Sequence, residues 1–264
     1  KILKKKFNRK TNIKISTISF CLEADLINSF AINNVNNICS MRANIFENYK
    51  YSFGKIGFLL GLMHYFFLRK FKAIIAMHSE MAVQIGKYYT GKVATINNFI
   101  DEDYFKTFTY NKIKNLQKNI VFVGSLSERK NPMAVIDCFS EIFTENNNIK
   151  LDIVGDGPLK KKLYRRVEYL NLSANVNFHG HLDNPYKIIQ DADIMILPSY
   201  SEGMSRAILE ALFFGVVCII REIDGVKTIS NNNKNIFLFN DSMQLSKLTK
   251  DALSRVNDKL FDKN

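Results

Sequence analysis

The chain has 264 residues, 47% hydrophobic and 23% charged, which excludes a disordered tail and fits one large folded domain or two modest ones. Four cysteines without a CxxC pair are too sparse for a disulfide scaffold, and 12 glycines with 4 prolines exclude collagen-like and linker-like chains. The net charge of +12 is uneven: residues 1–112 carry 17 basic and 7 acidic side chains, the remainder 20 and 18. The excess begins with KILKKKFNRK, which holds no acid. Such a stretch suits nucleic acid, an anionic membrane surface or a polyanionic substrate, with a solvated basic terminus as the plain alternative. No nucleic-acid signature accompanies it, so nucleic acid is not an expected partner. Each cysteine lies in or beside an apolar run, where a free thiol behaves as a small buried hydrophobe, and the expected compartment is a reducing cytosol. No secretory signal is read at the basic start.

In chain order, apolar runs at 13–20, 36–40, 72–77 and 92–97 read as strands, with helical runs at 24–31, 55–70 and 79–89. Within them IGFLLGLMHYFFL, Ile56 to Leu68, is too short for the roughly 18–20 residues of a membrane span, leaving a core helix or an interfacial one. Asp101 to Lys118 is polar and reads as a linker. Beyond it the pattern is cleaner. Strands are expected at 119–124, 149–155, 175–180, 193–198, 216–220 and 235–239. Helices are expected from Asn131-Pro132 to about Glu145, after Gly157-Pro158, near 184–190 and 205–214, and from Ser242 to about Val256. Strands this short and uniformly apolar are buried on both faces, which means parallel sheets covered by helices. The expected fold class is therefore α/β, with two Rossmann-like parallel-sheet domains at 1–112 and 113–264.

In such sheets ligands bind at the carboxyl ends of strands, in loops entering the next helix. The loop GSLSERKN, 124–131, places Arg129 and Lys130 where they can meet negative charge, although two ordinary surface cations would look the same. GDGP, 155–158, permits close backbone approach. PSYSEGMSRAILEAL, 198–212, is the most informative: the first-turn N–H groups and dipole of its helix make an anion site, and Gly203 removes an obstructing Cβ. Glu202 at the mouth and Glu210 inside the helix suit sugar hydroxyls. Alternatively Glu202 helps cap the helix and Glu210 is a buried pairing partner. His179 and His181 are read as packing residues, with a donor-sugar contact as the alternative. Asp191 and Asp193 are not read as metal ligands, because Asp193 opens a strand.

SEGMSRAILEA resembles the E-x7-E signature of glycosyltransferase family 4, retaining enzymes of the GT-B fold that use nucleotide-sugar donors. FVGSLSERKNP, LDIVGDGPLKKKL, VNFHGHL, DADIMILPSYSEG and GVVCII resemble successive segments of that family's C-terminal domain. MRANIFENY, AIIAMHSEMAVQI and TINNFID more faintly resemble the acceptor domain of members that build surface polysaccharides. The resemblance implies that Glu210 holds the donor ribose and Glu202 sits by the sugar, with the Gly203 and Met204 amides near the diphosphate. It implies that Lys130 neutralises the leaving diphosphate without a metal or other cofactor. Ser125 stands where the family usually has Arg, with Arg129 as a substitute, Asn131 stands where it has Gly after the lysine, and Ile236 where a Gly commonly precedes the last strand. The family's opening strand and Gly-rich loop have no counterpart before Lys1, so the N-terminal domain reads as truncated. Its histidine is not identifiable, and Glu23 is the candidate acceptor-side group.

The expected function is thus a retaining sugar transfer from a nucleotide-sugar donor to a lipid-linked glycan acceptor in surface polysaccharide synthesis. The enzyme is expected to be cytoplasmic and peripheral on the inner face of an anionic membrane. A catalytically inactive nucleotide-sugar-binding remnant and a nucleotide-sugar epimerase are the rival readings.

Overall fold

The computed structural model describes residues 15–30, 35–108, 117–230 and 233–255. The basic stretch 1–10, residues 109–116 of the expected linker and the end of the last helix lie outside these residues. The chain divides into two compact units, 1–97 and 98–264.

In unit 1, β1 (Ile15–Ser19), β2 (Val35–Ser40), β3 (Ala73–Ala76) and β4 (Lys92–Thr95) form a parallel sheet in the order β1-β2-β3-β4. The crossovers carry α1 (Leu22–Ser29), α2 (Ile45–Phe53) with a 3-10 turn leading into α3 (Gly57–Leu68), and α4 (Ser79–Gly86). Helix α2 is not among the expected helices. Its start was nevertheless signalled, because Asn44 accepts hydrogen bonds from the Phe46 and Glu47 N–H groups as an N-cap. An aromatic cluster ties α2 to α3, with Phe46, Tyr65 and Tyr88 rings 4.8–5.4 Å apart.

Unit 2 begins earlier than the expected boundary. Helix α5 (Glu102–Lys106) lies in the stretch read as a linker, and its Phe105 is 2% exposed against Tyr186, Phe213 and Phe214. The apolar side chain of Phe105 anchors an otherwise polar segment to this unit. Then follow β5 (Lys118–Val123), α6 (Pro132–Phe143), β6 (Ile149–Val154), α7 (Lys160–Tyr169), β7 (Val176–Gly180) and α8 (Tyr186–Asp191). The rest is β8 (Ile194–Leu197), α9 (Arg206–Phe213), β9 (Val217–Arg221), α10 (Lys227–Ser230), β10 (Ile236–Phe239) and α11 (Ser242–Arg255). Six parallel strands lie in the order β10-β9-β8-β5-β6-β7.

Alternation within these strands feeds two cores, one on each face. Ile120, Phe122, Ile194, Ile196, Val217 and Ile219 meet α6, α7 and α11. Val121, Met195, Leu197, Cys218 and Ile220 meet α5, α8 and α9. Both faces are covered, which is why the strands read as unbroken apolar runs. At about 1.5–3 kcal/mol per buried aliphatic side chain, the four buried residues of β8 alone make the centre of the sheet hard to distort.

Candidate active site

The strand order places a switch point between β5 and β8. From β5 the chain runs outward through β6 and β7, then returns to β8 and runs the other way. Parallel strands bring both following loops to one edge, where such sheets open a crevice. Those loops are 124–131 and 198–205, which contain every expected donor-site residue except Glu210.

The two loops are stitched together. Tyr200 donates its N–H to Arg129 O at 2.9 Å, and the Arg129 guanidinium donates to Ser201 O. Lys130 Nζ donates to Glu202 Oε1, with Arg129 Nη1 3.7 Å from the same oxygen. Both partners of the close pair are nearly buried, the Lys130 side chain 13% and the Glu202 side chain 9% exposed. A carboxylate so enclosed requires its cation. The sequence placed these groups in separate loops, and the structure makes them one ion pair.

Local geometry explains the unusual residues. Asn131 has φ 50 and ψ 48, the left-handed region that a β-carbon disfavours and that Asn tolerates best after Gly. The departure from the family's Gly thus preserves the backbone turn, and the Asn131 amide reaches the Tyr200 hydroxyl at 3.2 Å. Gly155, at φ 142, touches the Gly124 carbonyl so closely that a Cβ would stand 1.9 Å from its oxygen. Next to it the Lys130 stem passes 3.6–3.7 Å from where a Gly124 Cβ would lie. The Gly124–Gly155 contact therefore sets the floor beneath the lysine.

Ser205 is the N-cap of α9, and its side chain makes no capping bond. The Ser205 side chain thus does not occupy the first-turn N–H groups. Gly203 and Met204 are both buried, and Met204 O accepts from Asn98 Nδ2 at 3.1 Å, which fixes the loop in front of the helix. Ser125 is exposed at the end of β5. Glu210 is 7% exposed, and Arg206, one turn earlier, lies 3.4 Å from its carboxylate. Burial raises the Glu210 carboxyl above its ordinary range, partly opposed by Arg206. Such a carboxylate gains from hydroxyl donors that replace lost water. The Ser199 hydroxyl in the same loop is fully buried without a partner among the described residues.

Of the other polar residues, His181 is exposed rather than packed, 3.4 Å from Asp183, while Asp193 and His179 make structural bonds. Asp193 accepts the Asn119 N–H at 2.9 Å, joining β8 to β5. His179 bonds Asp152 at 2.7 Å across β6 and β7. No cluster of three or more metal-ligating side chains occurs among the described residues.

Unit 1 carries a second concavity, about 250 Å³, at the carboxyl ends of β1 and β2. Asp25, His64, Tyr49, Arg42, Asn48 and Ser52 line it. Asp25 accepts from Ser19 Oγ and lies 3.2 Å from His64 Nε2, while His64 Nδ1 is buried without a partner among the described residues. Burial, with Asp25 next, pushes the Tyr49 hydroxyl up to about 12. Glu23 is exposed and does not line the pocket; Asp25, two residues on, does. Sequence reading missed the Asp25–His64 pair because 39 residues separate its members. The one signal was a lone histidine within an apolar helix.

The family model for glycosyl transferases group 1 matches residues 105–259, more than half of the chain. An uncharacterized glycosyltransferase of Methanocaldococcus jannaschii is 27% identical over 190 residues, 68% of this chain and 46% of that protein. The Escherichia coli UDP-Gal:alpha-D-GlcNAc-diphosphoundecaprenol alpha-1,3-galactosyltransferase is 32% identical over 180 residues, 62% of this chain and 46% of that one. The chain thus spans about half the length of these curated relatives. Among solved structures, Anabaena HepE with UDP-glucose matches with a TM-score of 0.76 at 16% identity, over 92% of this chain and 71% of that one. This likeness shows the fold, the two-unit α/β architecture of GT-B proteins.

Proposed function

The chain belongs to the group 1 glycosyl transferases, and we propose that it moves a sugar from a nucleotide-sugar donor to a lipid-linked glycan acceptor with retention of configuration. The observation that carries this reading is the Lys130–Glu202 pair at the switch point, set in front of the uncapped first turn of α9. Departure of a nucleoside diphosphate develops negative charge, and a positioned ammonium together with a helix N-terminus stabilises it. Here the diphosphate draws Lys130 from Glu202, and the released carboxylate accepts from a sugar hydroxyl. Glu210 accepts from the ribose hydroxyls, while the Gly203 and Met204 amides face the diphosphate. Arg129 serves where Ser125 cannot. The bond from the anomeric carbon to phosphate breaks with its electron pair going to the phosphate oxygen. The acceptor hydroxyl forms the new bond on the same face and gives its proton to the departing phosphate. No metal is needed for this charge balance.

Acceptor specificity would come from unit 1, whose pocket mixes aromatic walls with hydrogen-bonding side chains, the chemistry that suits a saccharide. The name of the Escherichia coli relative, with its UDP-sugar and diphosphoundecaprenol, supports both substrate classes.

The test is calorimetric titration of the 264-residue chain with a panel of nucleotide sugars, repeated on Glu210→Ala. Saturable binding abolished by the substitution is expected, and unchanged affinity would refute the donor site. Donor turnover without any acceptor would instead identify an isomerase.

A further inference from the structure

Helix α3 presents its apolar side to solvent. At 3.6 residues per turn, Phe58, Leu59, Leu62, Met63 and Phe66 fall on one arc, and all five are exposed, most of them by half or more. Phe53 and Ile56, just ahead of the helix, extend the stripe. The inward arc carries Gly57, Gly61, His64, Tyr65 and Leu68, all buried. The two glycines face α2 because nothing larger fits there. A Cβ on Gly57 would stand 2.4 Å from the Tyr49 carbonyl carbon, and one on Gly61 would stand 2.5 Å from the Phe46 ring. An ordinary surface helix turns its apolar face inward. This one buries Tyr65 and Leu68 beside two glycines and a histidine, yet leaves five further large apolar side chains outside, so core packing does not account for the stripe. Contiguous exposed apolar surface of this kind marks an interaction site.

The surrounding charge says with what. Exposed Lys50 and Lys55 lie ahead of α3, and exposed Arg69, Lys70 and Lys72 follow it. No Asp or Glu occurs between Glu47 and Glu80. Lys70 Nζ sits 4.5 Å over the exposed Phe30 ring, continuing the mixed apolar and cationic surface onto α1. In a two-fold dimer through this patch the cationic rim would meet a rim of like charge, whereas an anionic surface complements it.

We propose that α3 seats in the plane of an anionic bilayer, its apolar stripe at the boundary of headgroups and acyl chains and the flanking cations against lipid phosphates. Its 12 residues reach only about 18 Å, short of the ~30 Å hydrocarbon layer, so it lies on the membrane rather than across it. His64, on the opposite side of the same helix, lines the unit 1 pocket. Seating α3 would hold that pocket near the headgroups, where the diphosphate of a lipid-linked glycan lies. This last step rests on the proposed acceptor class. Vesicle binding needs neither donor nor acceptor, so either reading can fail without the other.

The test is flotation of the 264-residue chain with phosphatidylcholine vesicles, with and without phosphatidylglycerol. Binding only with the anionic lipid, and weakening with salt, is expected. Leu59→Ser/Leu62→Ser/Met63→Ser should lower the partition coefficient by about a hundredfold. Lys55→Gln/Arg69→Gln should lower it by about twenty-fivefold, at roughly fivefold per cation. The chain holds no tryptophan, so Phe66→Trp provides a reporter without depending on those multiple variants. Its emission should shift to the blue on vesicles and be quenched by brominated lipid, while Tyr169→Trp in unit 2 should respond to neither. Absence of binding to anionic vesicles overturns the proposal. So does an unshifted emission from the Phe66→Trp protein, or a dimer that the triple substitution dissociates while wild type ignores vesicles.

Discussion

Replacing Lys130 by Met tests the ion pair at the centre of the site. The substitution keeps the stem that lies along Gly124 and removes the ammonium. Glu202, with a side chain 9% exposed, then retains only Arg129, whose nearest nitrogen is 3.7 Å away. Breaking a buried pair costs about 3–5 kcal/mol because an uncompensated charge remains. Arg129 offsets part of this, so about 3 kcal/mol is expected from urea denaturation monitored on unit 2. Removing both charges in Lys130→Met/Glu202→Gln leaves no orphan, and a loss of only about 1 kcal/mol is expected. Binding should follow a different pattern. Two unit charges about 4 Å apart at an effective dielectric near 20 attract by ~4 kcal/mol, so Lys130→Met should weaken UDP, GDP or ADP binding by up to a thousandfold. Glu202→Gln should not weaken the nucleoside diphosphate, since it removes the competitor for the ammonium, but should weaken the intact nucleotide sugar. Calorimetry on the single and double variants reads both quantities. A double variant less stable than the sum of the singles, or a Lys130→Met protein that binds nucleoside diphosphate as wild type does, would refute the reasoning.

The other two expectations concern pH and backbone. Burial raises the Glu210 carboxyl above its ordinary 4.5, so the folded state holds that proton more tightly than the unfolded chain. This contribution to stability is complete below pH 4.5 and is lost as pH rises through the folded-state value. Glu210→Gln should therefore gain stability relative to wild type between pH 4 and pH 7 in urea titrations, and a constant difference would contradict the burial argument. At Gly155, the φ of 142 and the 1.9 Å approach to Gly124 O leave no room for a methyl group. Gly155→Ala should cost about 3 kcal/mol or more and lower the melting temperature, and a neutral substitution would show that the floor of the site can move.

Much of unit 2 was legible because its signals are local. Ile194 to Leu197 is apolar at every position, which implies burial on both faces, and Asn131-Pro132 marks a helix start that the structure places at Pro132. The loops after β5 and β8 were legible for the same reason. Neighbourhood was not. Phe105 sits in a polar stretch and belongs to unit 2 only because Tyr186 and Phe214 are there to cover it. Asp25 and His64 come from different crossovers, and only the β1-β2 pairing and the close α2–α3 packing bring them together.

Helix α3 draws the distinction most sharply. A run that is apolar nearly all the way round fixes a helix, but carries no amphipathic moment to say which side faces inward. The two glycines and the shape of α2 made that choice, leaving Phe58, Leu59, Leu62, Met63 and Phe66 outside. In the same way the sequence placed Lys130 and Glu202 each in a loop that follows a strand. Only the strand order, which makes β5 and β8 neighbours, decided that one carboxylate oxygen and one ammonium would meet.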